Sequence, residues 1–448
     1  MRIRYDDNLK VAGIGMVPWT RLGPERWLPK YKIASLYGWD VALENAPQVK
    51  ALHDSDPDVQ LARVNSQHLI ENANFQEMLR TNFSGYDMMT YKPVLPPKAL
   101  AGIRFISGNQ ALARQLENKA AFRRLMQYEN ISFPEYKLYD RHALNSDDAA
   151  MLLAGRDSVI VQDEHLSGGK GTFVVRDERS LAYALESIER MNGGAQVVVS
   201  ERVVGAHERS VQCCVTRYGV FVGPLQKQII GDSLLANLHV PDGDKFCGAE
   251  ITASDTFAAA YTEIRDNALT IGKKIMAMGY RGIFSLDCLL NAQGRVFVLE
   301  INPRITGITP LLTMLYREGR DIPFYLLHIL ELAHADYTIE DDSVDSVAPE
   351  GSLMVLHSQA TEKVRLISAP PSGLYSPQTL EFEKPALRFT GEGQLLLQQY
   401  VPASIVKPGG RMLTVYTNGR VLSDTDDLLP TAQEQVTQII KKVEVQRV

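Results

Sequence analysis

Arg281-Gly-Ile-Phe-Ser-Leu-Asp287-Cys-Leu-Leu-Asn-Ala-Gln-Gly-Arg-Val-Phe-Val-Leu-Glu300-Ile-Asn302-Pro-Arg304 is the stretch whose reading decides the fold. Two β-rich runs flank Asn291-Ala-Gln-Gly294, a loop with turn chemistry at both ends, so the stretch predicts a hairpin. Alternation along a strand puts Ser285, Asp287 and Leu289 on one face of the first run, and Val298, Glu300 and Asn302 on one face of the second. Pairing Leu290 with Arg295 sets Asp287 opposite Val298. Asp287 and Glu300 then become diagonal neighbours on a shared face, with Cβ atoms roughly 7 Å apart or less.

Two like charges side by side on a sheet repel, so something must offset the cost. A hard cation with oxygen ligands does so, and Mg²⁺ (or Mn²⁺) shared with substrate phosphates suits two carboxylates and the neutral oxygen of Asn302. The plainer reading of these residues alone is a solvated face of an ordinary hairpin.

Outward from the hairpin, the chain of 448 residues is long enough for two to four domains. Its formal net charge of −6 supplies no global basic field, so neither nucleic acid nor an anionic membrane is an expected partner. The start, Met1-Arg-Ile-Arg-Tyr-Asp-Asp, has no apolar signal core, and no apolar run reaches spanning length. Cys213, Cys214, Cys247 and Cys288 have no metal-ligand spacing and read as buried thiols in a reducing compartment, which predicts the cytoplasm.

Upstream, Tyr31 to Leu43 and Arg104 to Ser107 are strand candidates, with helical material from Asn65 to Leu79 between them. Asn109 caps a helix that runs on towards Met126 and includes Lys119, by itself an ordinary solvated lysine. Ser158 to Val175 reads as strand, glycine loop, strand. Gly168, Gly169 and Gly171 let the backbone lie against a ligand and aim N–H groups at anionic oxygens, and Lys170 adds charge. The loop lacks both the Walker spacing and the dinucleotide fingerprint, and a bare hairpin tip is the alternative. A strand from Ala195 then leads into Glu201-Arg-Val-Val204, a crossing segment with backbone groups open to a planar base. Glu208, past Gly205, could accept from ribose hydroxyls, the alternative being that Glu201 and Glu208 are two ordinary surface acids. Downstream, Leu311 to Arg317 and Ile322 to Leu332 look helical. From Val347 the pattern turns to β, with a tight-hairpin signal at Asn418-Gly419, and Thr431 to Lys442 closes the chain as a helix.

In this order the pieces resemble the ATP-grasp superfamily over roughly residues 100 to 345. The resemblance implies an α+β/α/β fold in which two subdomains clamp ATP between them. Residues 1–110 would be an amino-terminal α/β domain, 111–204 the small subdomain with the glycine lid, 205–345 the large subdomain with the metal site, and 346–448 a carboxy-terminal β-rich lobe. It also implies roles. Lys119 matches a phosphate-contacting lysine, Ser167 to Gly171 the mobile loop over the phosphates, Glu201 to Val204 the adenine-reading segment and Glu208 the ribose acid. Asp287, Glu300 and Asn302 match the Mg²⁺ ligands, with the same Asp-to-Glu spacing as in D-alanine–D-alanine ligase. Arg304 resembles the arginine that steadies the reacting group in the carboxylase and purine-biosynthesis branch. The family's second lysine, before the glycine loop, is Gln162 here, and Lys170 or Lys227 is left to supply the charge.

The resemblance implies an ATP-dependent carboxylate–amine ligase. It would form ADP and an acyl phosphate, with Arg304 and Lys227 as catalytic candidates, and join small-molecule acid and amine substrates such as amino acids or peptides. A homodimer is compatible with it. The alternatives are a biotin-carboxylase-like or carboxylate–thiol ligase and, in another class, a nucleotide-binding regulatory protein without catalysis.

Overall fold

The computed structural model describes all residues except 57–64, 167, 241–244, 253–257, 346 and 400–403. Near the amino terminus, four parallel strands lie in the order Gln48–Ala51, Lys32–Ser35, Val11–Gly15, Asp87–Thr90. Val11–Gly15 is buried along its whole length, as a central parallel strand covered on both faces must be. From it the chain builds outward on one side, then returns through the helices Ser66–Glu71 and Ala73–Asn82 to place Asp87–Thr90 on the other. Only Lys32–Ser35 of the expected strand at Tyr31 to Leu43 forms. The run Arg104 to Ser107 makes a single bridge, Phe105 to Met88, so the strand expected there is absent.

The helix expected from Asn109 to Met126 is two helices, Gln110–Glu117 and Lys119–Met126. Asn118 divides them. Its backbone is extended, and its side chain accepts the Ala121 N–H at 2.7 Å, capping the second helix as Asn109 caps the first. Next come four antiparallel strands in the order Tyr136–Asp140, Gln196–Glu201, Val159–Asp163, Thr172–Val175, with the helix Glu178–Arg190 packed on them.

Among the described residues the largest sheet has ten antiparallel strands. It begins with the hairpin strands Val296–Asn302 and Gly282–Leu290, and continues through His207–Thr216, Gly219–Ile230 and Phe246–Ile251. It then passes without a break into carboxy-terminal strands: Gly351–His357, Arg411–Thr417, Leu395–Gln399, Gly373–Tyr375 and Phe382–Lys384. The helix Ala258–Ala277 covers one face of the amino-terminal half, with Ile264, Ala268, Ile271 and Ile275 buried against Val211, Cys213, Leu286 and Cys288. Asn418-Gly419 does not turn a tight hairpin, since Arg411–Thr417 pairs with strands earlier in the chain. Asn418 instead accepts the Gln394 N–H at 2.8 Å and donates to Gly391 O at 2.6 Å, pinning the neighbouring loop.

The helices Thr309–Met314 and Phe324–Leu332 share one core with the amino-terminal sheet, in which Trp19, Tyr31 and Ile33 lie with Leu311, Tyr325 and Leu326. Arg26 ties the two by donating to Thr313 O at 3.1 Å and Tyr316 O at 2.9 Å. This packing brings the ends of the parallel strands up to the hairpin that carries Asp287 and Glu300.

Candidate active site

The hairpin forms, but its register differs from the sequence expectation. Leu290 pairs with Val296, and a bulge after Cys288–Val298 leaves Leu299 unpaired, so Asp287 lies directly opposite Glu300. The turn shifts the register by one residue and the bulge by one more, which together turn a diagonal neighbour into a facing one. Ser285 faces Asn302 one pair further on.

This pair is buried enough to matter. Burial first, and the Glu300 charge second, push the Asp287 carboxyl up to about 7. Its Oδ1 accepts from Gln228 Nε2 at 2.9 Å and its Oδ2 from Asn302 Nδ2 at 2.8 Å. Glu300 Oε2 lies 3.3 Å from Lys119 Nζ. No cluster of three or more His, Cys, Asp or Glu suited to a metal exists among the described residues. The donors that face each other are therefore two carboxylates, Asn302 turning its amide nitrogen to Asp287 and its oxygen to Arg304. They fit a hard cation that keeps waters and takes its remaining ligands from phosphate oxygens, and such a cation removes the repulsion that raises Asp287.

Lys119 is not a solvated helix lysine. As the first residue of its helix it is buried, and its Nζ also donates to Leu166 O at 2.6 Å. Asn118 fixes this position twice over, by capping the helix and by donating to Glu164 Oε2 at 2.8 Å. Lys119 thus links the base of the glycine loop to the carboxylate pair.

Gly168, Gly169 and Gly171 all have left-handed backbones, with φ of 74°, 76° and 68°. A Cβ on Gly171 would meet Leu166 Cδ1 at 2.8 Å, and one on Gly169 would meet Lys245 Cβ at 3.0 Å. The loop rests on Asp163, which accepts the N–H groups of His165, Leu166 and Gly194. The backbone N–H of Lys245, just before the strand Phe246–Ile251, donates to Gly168 O. Lys170 stands within this loop, and Gln162 at its base donates to Thr172 Oγ1 at 3.3 Å. Ser167 lies outside the described residues.

Glu201 turns its side chain to the Glu135 N–H at 3.0 Å, while Arg202 and Val204 are exposed and Val203 is half-buried. Glu208 pairs with Leu289, two residues from the Ser210–Asp287 pair, so it shares the face of the carboxylate pair. Burial raises its carboxyl. Lys227 is placed differently. Gln228 reaches Asp287, so alternation turns Lys227 to the opposite face of the sheet. There its Nζ lies 3.3 Å from Asp426 Oδ1, beside Arg209, which donates to Asp426 Oδ2 at 2.7 Å. The structure does not bring Lys227 to the carboxylate pair.

Arg304 is held as a fork. Its Nε donates to Glu117 Oε1 at 2.9 Å and its Nη2 to Asn302 Oδ1 at 2.7 Å, and the guanidinium lies 5.7 Å from the centre of the Tyr91 ring. Lys92 approaches the same Glu117 Oε1 at 3.2 Å. Sequence reasoning missed Gln228, Glu117, Tyr91 and Lys92. None sits in a readable motif, and only the packing of distant segments joins them. Arg123 was missed too. It is fully buried and stacked on Phe133 and Tyr136, and burial brings its guanidinium down to about 10.

Residues 116–308 match a family model described as an ATP-grasp domain. The chain is 26% identical over 239 residues to a [butirosin acyl-carrier protein]–L-glutamate ligase of Niallia circulans, across 53% of this chain and 54% of the relative. It is 25% identical over 224 residues to the carbamoyl phosphate synthase large chain of Thermus thermophilus, covering 48% of this chain and 19% of that one. The chain thus spans about half the first relative's length and a fifth of the second's. In fold it is similar to the biotin carboxylase domain of 2-oxoglutarate carboxylase from Hydrogenobacter thermophilus, with a TM-score of 0.63 at 11% identity over 98% of this chain and 91% of that one. Residues 116–308 of this chain thus match the ATP-grasp domain family, and its fold is similar to that of a solved biotin carboxylase domain.

Proposed function

We propose that the protein is an ATP-dependent ligase that activates a carboxylate as an acyl phosphate, releases ADP and joins the acyl group to an amine. The observation that carries this reading is the Asp287–Glu300 pair, with Asn302 beside it and Lys119 and Arg304 at its two ends. Asp287, Glu300 and Asn302 would hold Mg²⁺ or Mn²⁺, whose charge draws the triphosphate oxygens together and makes the γ-phosphorus a better electrophile. Lys119 neutralises phosphate charge from the loop side. The backbone N–H groups of Gly168 to Gly171, with Lys170, cover the phosphates. Gln162, Glu201 to Val204 and Glu208 receive the base and ribose.

In the first step a substrate carboxylate oxygen forms a bond to the γ-phosphorus, and the bond to the β-γ bridging oxygen breaks, with ADP leaving. The amine nitrogen then attacks the acyl carbon, loses a proton and expels inorganic phosphate. Arg304 holds the acid by a fixed fork of donors that a lysine cannot reproduce. An amino acid is the proposed acid, in keeping with the relative named as an L-glutamate ligase.

ADP release across a panel of amino acids, with hydroxylamine as a generic nucleophile, tests the reading. Acid-dependent ADP release that disappears in Glu300→Gln supports it. Equal release by that variant would remove the carboxylate pair from catalysis.

A further inference from the structure

The amino-terminal parallel sheet reverses its strand order between Val11–Gly15 and Asp87–Thr90. In open α/β sheets the crevice beyond the carboxyl ends of two such strands is where ligands bind, because the connections there diverge to opposite faces. Arg21, Tyr91 and Lys92 follow the carboxyl ends of these two strands. Thr90 Oγ1 donates to Lys92 O at 2.6 Å and folds the chain back on itself just past the strand. Arg21 lies 5.3 Å from the centre of the Tyr91 ring, and Arg304 lies 5.7 Å from it. Tyr91 is therefore the contact between the switch point and the metal-site hairpin.

Charge points the same way. Lys92, Arg304 and Arg21 bring three cations to this junction, and Glu117 is the carboxylate that meets Lys92 and Arg304. The guanidinium of Arg21 is spent on carbonyl groups, those of Ile14 and Thr20. Lys92 has three donors, and among the described residues Glu117 is its one ion-pair partner, while 44% of its side-chain surface stays open. Burial first, and the Arg304 charge second, bring its amine down to about 8. A polar chain runs from Lys92 through Glu117, Arg304 and Asn302 to Asp287, with contacts of 3.2, 2.9, 2.7 and 2.8 Å.

We propose that Lys92 of the amino-terminal sheet is a substrate-binding residue of the active site, holding the reacting carboxylate and its acyl phosphate opposite Arg304. The inference rests on the ligase reading and deepens it. The acid enters at the switch point and is clasped between a point charge from one unit and a guanidinium fork from the other, with the Tyr91 ring as one wall. Glu117 keeps the two cations apart and oriented.

Acetyl phosphate, the simplest stable acyl phosphate, is the probe. The first arm labels lysines of the full chain at pH 8 with 2,4-dinitrofluorobenzene and reads Lys92 by mass spectrometry, with and without acetyl phosphate. Protection of Lys92 by several-fold, absent with equal inorganic phosphate, is expected. Unchanged labelling, or equal protection by inorganic phosphate, overturns the proposal. The second arm measures ATP made from Mg-ADP and acetyl phosphate, the reverse of the activation step. Lys92→Ala should raise the half-saturating acetyl phosphate about tenfold or more, as loss of one charged contact predicts. ADP affinity and melting temperature should stay put, and Lys92→Arg should recover part of the loss. Wild-type saturation by acetyl phosphate in Lys92→Ala overturns the assignment. If the wild type makes no ATP although ADP binds, the ligase reading fails by itself, and the labelling arm still decides whether Lys92 binds the acyl phosphate.

Discussion

Asp287 shows how one inserted residue sets the chemistry of a site. Were the ladder regular beyond Cys288–Val298, Asp287 would face Leu299, and Glu300 would pair with Leu286 on the opposite face of the sheet. Deleting Leu299 would close the bulge while keeping Asp287 opposite Glu300, so acid-dependent ADP release should survive wherever circular dichroism and thermal melting show that the hairpin still forms, and its loss in a folded variant would mean that the bulge itself shapes the site. A second residue gives a prediction without reference to catalysis. His328 is buried, its Nδ1 accepts the Ile283 N–H at 3.0 Å, and burial holds its imidazole down at about 4. The unfolded chain, with an ordinary histidine, binds more protons between about pH 6.5 and about pH 4, so stability falls as pH drops through that window and is fully present above it. The loss should approach roughly 3 kcal/mol at the acid end. His328→Asn retains an acceptor but cannot titrate, so its melting temperature should lose less than that of the wild type on going from pH 7 to pH 4.5. Parallel pH curves would remove His328 as the cause.

At the scale of elements, the break at Asn118 is what separates a buried lysine set against Glu300 from a helix-surface one. Asn109→Ala and Asn118→Ala each delete an N-cap worth about 1 kcal/mol. Only the second also releases Lys119 and the Glu164 contact, so only Asn118→Ala should lower kcat well beyond its share of lost stability. Equal kcat in the two variants would show that the cap does not position Lys119. The glycine loop makes a parallel case. Gly171→Ala forces a side chain into a left-handed backbone against Leu166 and Asp163. ATP with Mg²⁺ should slow hydrogen exchange across Gly168–Gly171 in the wild type, and that protection should weaken in Gly171→Ala. Equal exchange with and without nucleotide would mean that the loop does not cover the phosphates.

For the whole molecule, the ten-stranded sheet makes the strands Gly351–His357, Gly373–Tyr375, Phe382–Lys384, Leu395–Gln399 and Arg411–Thr417 a continuation of the sheet that bears the Asp287–Glu300 pair. Phe246–Ile251 is paired on one side by Gly219–Ile230 and on the other by Gly351–His357. Truncation after residue 345 would expose that buried strand as an edge, and the shortened chain is expected to aggregate. Glu250 sits at this junction, fully buried, and accepts the N–H groups of Val421 at 2.6 Å and Leu422 at 2.8 Å, with Arg420 Nε 3.6 Å away. Glu250→Ala leaves two buried donors without a partner and should cost about 2–5 kcal/mol. A denaturant midpoint shift of less than a third of that would show that solvent reaches these groups.

The sequence by itself determined the hairpin at Asp287 and Glu300, the glycine loop, the caps at Asn109 and the closing helix, because turn chemistry, alternation and helix spacing are local signals. Three of the four strands of the amino-terminal parallel sheet escaped it. Val11–Gly15 and Asp87–Thr90 are short buried runs whose pairing depends on partners far along the chain. Register was likewise beyond it, since a bulge is decided by how the whole sheet twists and packs rather than by Leu299 alone. Face assignment followed register. Lys227 and Gln228 are adjacent in sequence, yet the tertiary structure sends Gln228 to Asp287 and Lys227 to Asp426. Only the packing of the helices Thr309–Met314 and Phe324–Leu332 against the amino-terminal sheet brought Lys92 and Tyr91 to Arg304. Residues that meet across more than two hundred positions of chain leave no spacing in the sequence, because their proximity is produced by the burial of other residues.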